Sequence, residues 1–367
     1  MATKIRNIIN WAEPDIGPEE IEAVKESVAS GWIGGNGPST EKFERAFAEK
    51  VNAKYSVATC NGTTALLCAF QALKEKIGKV RIAAPTFTFI STVHTAYHFA
   101  EEMRLIDCDP KTWNVDPDLL IGENFNLLVP VDVGGLPCDY NRLKEFDVPI
   151  LADSAEAVGA KYDGKMLGSI ADVTVFSFHA AKVITTGEGG IVVTNDKKMY
   201  ESMRSIANYG YATEKKSWEY EYERIGFNYR MAEPQAALGL VQLNKLDKYL
   251  ERRHKIAKIY KDVMGDLVKY QHVSSSCFHS YFLFGILLPE ENMQEWLCTE
   301  LEKRGIKTKI TFKPAHKQKP YSSFKECPQA EKVWKHIIAL PIHNKMSEED
   351  AKYVSETVKK LLIQHRR

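Results

Sequence analysis

Apolar positions change their period several times along this chain. Near the start they recur at helical spacing: Ile21, Val24 and Val28 follow Pro18, with acidic residues in the first turn, and the pattern stops at Ser30-Gly31. The run Gly31-Trp-Ile-Gly-Gly-Asn-Gly-Pro38 is too rich in glycine for the interior of an element. Ser39 or Thr40 is then placed to cap a second helix bearing Phe43, Ala46 and Phe47.

From Tyr55 short apolar runs alternate with amphipathic ones. The runs at 55–59, 80–84, 104–107, 127–131 and 150–152 read as strands, and 63–76 and 90–99 as helices. Runs this short and continuously apolar suit strands covered on both faces, and strand–helix alternation predicts a mostly parallel sheet between helical layers. In such sheets ligands gather at the carboxyl ends of the strands. Val173, Val175, Phe176 and Phe178 form a further strand, followed by a polar bend around His179 to Lys182, a glycine-rich turn and a second apolar strand at 191–194.

The stretch 214–224 is polar and aromatic and reads as an exposed loop or hairpin. Glu233-Pro234 opens a helix expected to run past Arg253, proline being tolerated in a first turn. Beyond about 267, strands are expected at 281–288, 307–312 and 337–340, and helices at 292–304 and 347–363. Three units follow: an entry segment 1–54, a large α/β domain 55–266 and a smaller α+β domain 267–367.

Composition narrows the function. With 44% hydrophobic and 26% charged residues among 367, the chain has the balance of a soluble globular protein. A formal net charge of +1 gives no reason to expect nucleic acid or a membrane surface as a partner. No apolar run reaches the roughly 18 residues that span a bilayer, and the first residues lack a signal-peptide core, which points to the cytoplasm. The seven cysteines are scattered without ligand spacing, so no metal site is expected.

Lys182 is the chemically conspicuous residue. An ammonium between two buried strands is costly unless a carboxylate pairs with it or the amine becomes uncharged, as in an imine with an aldehyde. Asn61-Gly-Thr-Thr-Ala65 sits between a strand and a helix, where backbone N–H groups and the helix dipole converge on one spot; this is an anion cradle or an ordinary cap. Asp153 closes an apolar run, as a turn residue or as a buried acid.

Taken together, Ser177-Phe-His-Ala-Ala-Lys182 and Thr185-Thr-Gly-Glu-Gly-Gly190 resemble the cofactor lysine segment of the DegT/DnrJ/EryC1/StrS sugar aminotransferases. The resemblance runs from the Asn10 region to Glu348-Glu-Asp350. It implies the aspartate-aminotransferase-like fold (fold type I), with a mostly parallel seven-stranded sheet flanked by helices, and pyridoxal 5'-phosphate as cofactor. Lys182 would bind the cofactor aldehyde. A branch with histidine in that place dehydrates sugars, so the lysine implies transamination. The resemblance places Gly62, Thr63, Thr64 and Ser177 at the phosphate and Asp153 at the pyridine nitrogen. Phe89 would lie on the ring, with Phe87 as the competing choice. Glu156 stands where many members have glutamine, and Glu-Ala-Val-Gly resembles the perosamine-synthase-like branch, which aminates C4 of 4-keto-6-deoxy sugars. Asn228 would reach the cofactor of a neighbouring subunit, making a homodimer with shared sites. Arg230 would meet the donor carboxylate, and Trp32 and His316 the substrate.

Two segments depart from the family pattern. Val131-Asp-Val-Gly-Gly-Leu-Pro137 replaces the usual His-Leu-Tyr-Gly, so no role carries over to Asp132, and Ile310-Thr-Phe-Lys-Pro-Ala-His316 lacks one usual polar group. The implied activity is transfer of an amino group from L-glutamate to a nucleotide-linked 4-keto-6-deoxy sugar. A 3-keto sugar is the alternative substrate. A non-catalytic regulator is the alternative class, disfavoured because Lys182 and Asp153 are both present.

Overall fold

The structure, a computed structural model, describes residues 8–212 and 218–365; the first part of the polar stretch expected at 214–224 lies outside them. Helices α1 (Pro18–Ala29) and α2 (Pro38–Lys50) lead into β1 (Tyr55–Thr59), α3 (Gly62–Ile77), β2 (Arg81–Pro85), α4 (Ile90–Phe99), β3 (Glu102–Ile106) and β4 (Leu127–Leu128). Then come α5 (Tyr140–Lys144), β5 (Leu151–Asp153), a small hairpin of β6 (Lys161–Tyr162) and β7 (Lys165–Met166), β8 (Val173–Ser177), β9 (Gly190–Thr194) and α6 (Lys197–Ala207).

β3 and β4 flank β2 in parallel, β5 pairs in parallel with β8, and β9 runs antiparallel between β8 and β1. A parallel bridge from Leu128 to Ile150 joins the two halves. The result is a seven-stranded sheet, ordered β3-β2-β4-β5-β8-β9-β1, in which β9 alone opposes the rest.

The side-chain alternation of β8 shows why it is central. Val173 and Val175 enter the core under α3, whereas Phe176 and Phe178 enter the core under α2. There Phe47 meets both phenylalanine rings edge-on at 5.2 and 5.3 Å, and Phe43 meets Phe178 at 5.2 Å. Each of these buried rings is worth about 1.5–3 kcal/mol of transfer free energy, and edge-on pairing adds to it. The strand that precedes Lys182 is therefore clamped from both sides.

Three local expectations change. Helix α1 has the predicted period but buries another face: Glu20 and Ser27 are inside, while Ile21 and Val28 are exposed. Glu20 is reached there by Lys245 Nζ at 2.7 Å and Gln242 at 2.9 Å. The long helix after Glu233 is two, α7 (Glu233–Asn244) and α8 (Leu246–Met264), broken at Lys245, which turns to pair with Glu19 and Glu20. The cap of α2 is Gly37 and not Ser39 or Thr40. Its orphan donors find a remote acceptor: the buried Glu233 carboxylate accepts from the N–H groups of Gly37 (3.0 Å), Ser39 (2.7 Å) and Thr40 (3.0 Å), and from the Thr40 hydroxyl.

The C-terminal part contains β10 (Lys269–Tyr270), β11 (Cys277–Phe278), β12 (Phe284–Leu287), α9 (Met293–Glu302), α10 (Pro328–His336), β13 (Ile337–Leu340) and α11 (Glu348–His365). β12 lies between β10 and β13, all antiparallel. The strand expected at 307–312 reduces to one bridge, Lys309 to Ala339. The strand expected from 281 starts at Phe284 because Leu283 N–H bonds to Gly134 O of the large sheet layer instead of a neighbouring strand. This core also takes in Ile9 and the Ile256, Ala257 and Tyr260 face of α8. Among the described residues no helix is long and apolar enough to cross a membrane.

Glu233 supplies a test of this framework. Burial opposes its charge, but the bonds from Thr40, Ser39 and Gly37 outweigh burial and hold its pKa below the ordinary 4.5. Its contribution is therefore complete above pH 4.5 and is lost as pH falls through the lower native value. Glu233→Ala leaves several buried donors unpaired and is expected to cost roughly 2–4 kcal/mol. Thermal unfolding should show the loss at pH 7 and a smaller gap from wild type in acid; an equal gap at both would exclude a role for the charge.

Candidate functional site

The carboxyl ends of β1, β2, β5 and β8 deliver the candidate residues to one edge of the sheet. Lys182 lies in the loop between β8 and β9. Phe178 O accepts from Thr186 N–H (2.9 Å) and the Thr185 hydroxyl (3.0 Å), while Lys182 N–H bonds to His179 O (2.8 Å). The side chain is 14% exposed, and its Nζ stands 3.6 Å from Glu156 Oε1 and 4.1 Å from the centre of the Phe282 ring. The lysine is thus paired with a carboxylate on one side and a π face on the other.

Asp153 ends β5 and is buried. Its Oδ2 accepts from the Thr92 hydroxyl at 2.6 Å and its Oδ1 from Ala155 N–H at 3.1 Å. Burial raises its pKa above the ordinary carboxylate value, against the pull of those bonds and of Lys182. Glu156 is raised in the same way by burial, opposed by Lys182 and by Gly134 N–H, which donates to Oε2 at 2.8 Å.

Behind them lies Asp132, fully buried, with Ser154 Oγ at 2.6 Å, Cys138 N–H at 2.8 Å and Tyr140 OH at 2.9 Å all donating to it. Burial lifts its pKa to about 6. These bonds shape the 132–140 turn that presents Gly134 to Glu156. The turn needs glycine at 135, where φ is +97° and a Cβ would fall 2.2 Å from Ser280 Oγ.

Asn61 caps α3, with Oδ1 accepting from Thr64 N–H at 2.9 Å. The Thr64 hydroxyl is spent on Asn61 O at 2.8 Å, whereas the Thr63 side chain is exposed and bonds to Ser91 at 3.1 Å. A Cβ on Gly62 would lie 2.9 Å from Ser177 Cβ, so the helix start sits directly against the end of β8. Between the two candidate rings the structure divides the roles: Phe87 is buried in the core, and Phe89 is 58% exposed at the start of α4.

The remaining candidates have partners of their own, none of them Lys182, among the described residues. Asn228 is exposed and forms a bridge with Asn208. Arg230 donates to Asn208 Oδ1 at 2.7 Å and stacks on Tyr209 at 4.8 Å. Trp32 is exposed on its glycine-rich loop. His316 is buried with Nδ1 2.7 Å from Thr86 Oγ1 and Nε2 3.1 Å from Glu331, which leaves no ring nitrogen for the substrate contact expected of it. Sequence reasoning passed over Thr92, Gly134 and Phe282. Thr92 lay in a segment singled out for its phenylalanines, but Phe282 read as one more apolar residue of a strand.

Known proteins resemble this chain in sequence and fold. The model of the DegT/DnrJ/EryC1/StrS aminotransferase family matches residues 14–359. GDP-perosamine synthase of Escherichia coli O157:H7 is 34% identical over 354 residues, covering 94% of this chain and 96% of that protein. UDP-4-amino-4,6-dideoxy-N-acetyl-beta-L-altrosamine transaminase of Campylobacter jejuni is 29% identical, covering 97% and 98%. The PLP form of the putative sugar aminotransferase Spr1654 from Streptococcus pneumoniae superposes with a TM-score of 0.90 at 29% identity, covering 97% and 99%.

Asp153 generates a test that needs no substrate. A carboxyl group raised by burial binds its proton more tightly in the native than in the unfolded chain, so it costs stability as pH rises through its native value. Cofactor-free Asp153→Asn is expected to melt a few degrees above wild type at pH 7, with the gap closing as pH falls toward 4. A variant that melts lower than wild type at pH 7 would contradict this.

Proposed function

The chain belongs to the DegT/DnrJ/EryC1/StrS aminotransferase family, and within it we propose a pyridoxal-phosphate enzyme that moves an amino group from L-glutamate to the 4-keto carbon of a nucleotide-linked 6-deoxy sugar. The observation that carries this reading is the mostly buried Lys182 amine set between Glu156 and Phe282, with Asp153 on the adjoining strand.

The residues present fit the cofactor. Gly62, pressed against Ser177, leaves the Gly62 and Thr63 amides of α3 and the hydroxyls of Thr63 and Ser177 to hold a phosphate. Among the described residues Asp153 has two donors and no cation in bonding contact, which suits a protonated ring nitrogen. Phe89, exposed above that carboxylate's Thr92 partner, offers a stacking face. When bound, the cofactor supplies an electron sink for the pair left as the amino-acid Cα loses its proton. Lys182 takes that proton and returns one on the far side of the transfer, and Glu156 stabilises its ammonium between those events. Arg230 gives one bond to Asn208 and keeps further guanidinium donors for the glutamate carboxylate.

The C4 position is supported by glutamate rather than glutamine at 156 and by a relative named for a 4-amino-4,6-dideoxy sugar. Incubation with a panel of nucleotide ketosugars and glutamate, with NMR of the product, is expected to show an amine at C4; an amine at C3 would overturn the position. Borohydride reduction and peptide mapping should put the pyridoxyl mass on Lys182. Lys182→Ala is expected to lose more than the ~10²–10⁴-fold of one acid–base group, since it removes cofactor attachment as well.

Asn228 and Trp32 are exposed in their own chain and so are accessible to a second copy, which supports sites shared across a homodimer. Co-expressed Lys182→Ala and Asn228→Ala chains, each nearly inactive alone, are then expected to regain activity. A mixed dimer would carry one intact site and one doubly damaged site. Mixed dimers as inactive as their parents would refute sharing.

A further inference from the structure

Arg253, on α8, is 1% exposed, and no ion pair joins it to a carboxylate among the described residues. Its Nε donates to Asn344 Oδ1 at 3.0 Å, and its Nη1 donates to the carbonyls of Tyr281 (2.9 Å), Ile342 (3.0 Å) and Phe282 (3.3 Å). A guanidinium buried without an acid is expensive, and an apolar side chain of similar volume would fill the same space. What the guanidinium does that no apolar residue can is tie separate backbone segments to one rigid fork.

Those segments converge on Lys182 from two directions. In one arm, Asn344 is fixed by Arg253 and passes a bond from Nδ2 to Val183 O at 2.8 Å, beside the lysine in the chain. In the other, the Phe282 backbone is held by Arg253 and its ring lies under Nζ at 4.1 Å. The next residue, Leu283, bonds through its N–H to Gly134 O, and Gly134 N–H holds Glu156, the lysine's ion-pair partner. Both groups that fix the ammonium are therefore linked to backbone that Arg253 grips, although Arg253 touches none of the reacting atoms.

We infer that Arg253 is a positioning residue that sets where the Lys182 amine stands, acting through Asn344–Val183 and through Phe282. The inference rests on the reading of Lys182 as the cofactor lysine. The step it governs is attack of the neutral amine on the aldehyde carbon: C=N replaces C=O, and the carbonyl oxygen leaves as water with the two amine hydrogens. Misplacement by about 1 Å can slow such a step by up to ~10²-fold.

The test uses full-length wild type, Asn344→Ala and Arg253→Lys, freed of cofactor. Each is mixed rapidly with pyridoxal 5'-phosphate, and covalent capture is followed by visible absorbance. Affinity for 4-deoxypyridoxine 5'-phosphate, which has no aldehyde, is measured in parallel. Capture is expected to slow about 10-fold or more in Asn344→Ala and further in Arg253→Lys, with analogue affinity within about twofold of wild type. Unchanged capture in folded variants, even with a lowered melting temperature, would mean a structural role only and overturn the inference. Loss of analogue affinity in step with the capture rate would overturn it too, by showing general collapse of the pocket. If Arg253→Lys fails to fold, Asn344→Ala decides alone. Failure of wild type to capture the aldehyde at Lys182 would remove the cofactor reading itself, and the inference with it.

Discussion

An ammonium inside a protein must have its charge answered, and much of this molecule can be understood as the answer given to Lys182. Glu156 stands 3.6 Å away and the Phe282 ring 4.1 Å away, from different parts of the chain. Neither partner is free to wander. The second oxygen of Glu156 is held by Gly134 N–H, and the Phe282 carbonyl is held by Arg253. Three buried acids, Asp132, Asp153 and Glu156, crowd the same strand ends, and burial raises the pKa of each. They are not equivalent. Asp132 is surrounded by donors from Ser154, Cys138 and Tyr140 and needs no cation. Glu156 has Lys182. Asp153 has two donors among the described residues and spare acceptor capacity.

The sheet makes that crowding possible. Parallel strands point their carboxyl ends the same way, so residues more than a hundred positions apart in sequence, such as Asn61 and Lys182, are brought to one edge. The cost is that loops at that edge carry polar backbone into the interior. The structure meets it with specific acceptors and donors: Phe178 O takes two bonds from the lysine loop, and Glu233 gathers the donors at the start of α2. Phenylalanines below β8 supply the apolar counterweight that keeps the strand fixed while its end carries charge.

How much of this was legible in the chain follows from which forces are local. Apolar periodicity and glycine punctuation located most of the large-sheet strands and α4 to its ends, because strands buried on both faces leave continuous apolar runs. Lys182 and Asp153 stood out because each interrupts or closes such a run. What the sequence hid were pairings set by tertiary geometry. Nothing near Ser39 announces that Glu233, nearly two hundred residues away, would satisfy the start of α2. The buried face of α1 was misjudged because an ion-pair network took the place of apolar packing. Phe282 carried no mark of its contact with Lys182, and Arg253 looked like any basic residue on an amphipathic helix.

Glutamate at 156 shows how these levels meet. On the proposed reading, Lys182 is alternately bonded through its nitrogen and released as a basic amine, so its charge varies while its surroundings stay largely dry. A glutamine at 156 could hydrogen-bond to it in either condition but could not neutralise an ammonium. A carboxylate can, and its own raised pKa means that it too gains from the pairing. Gly134 N–H is a fixed donor that requires no rearrangement as the lysine changes state. That donor belongs to the 132–140 turn, which Asp132 ties through Cys138 N–H and Tyr140 OH. Asp132 and Glu156 are therefore joined through one turn, Asp132 holding its far end at Cys138 and Gly134 holding the carboxylate that faces the lysine.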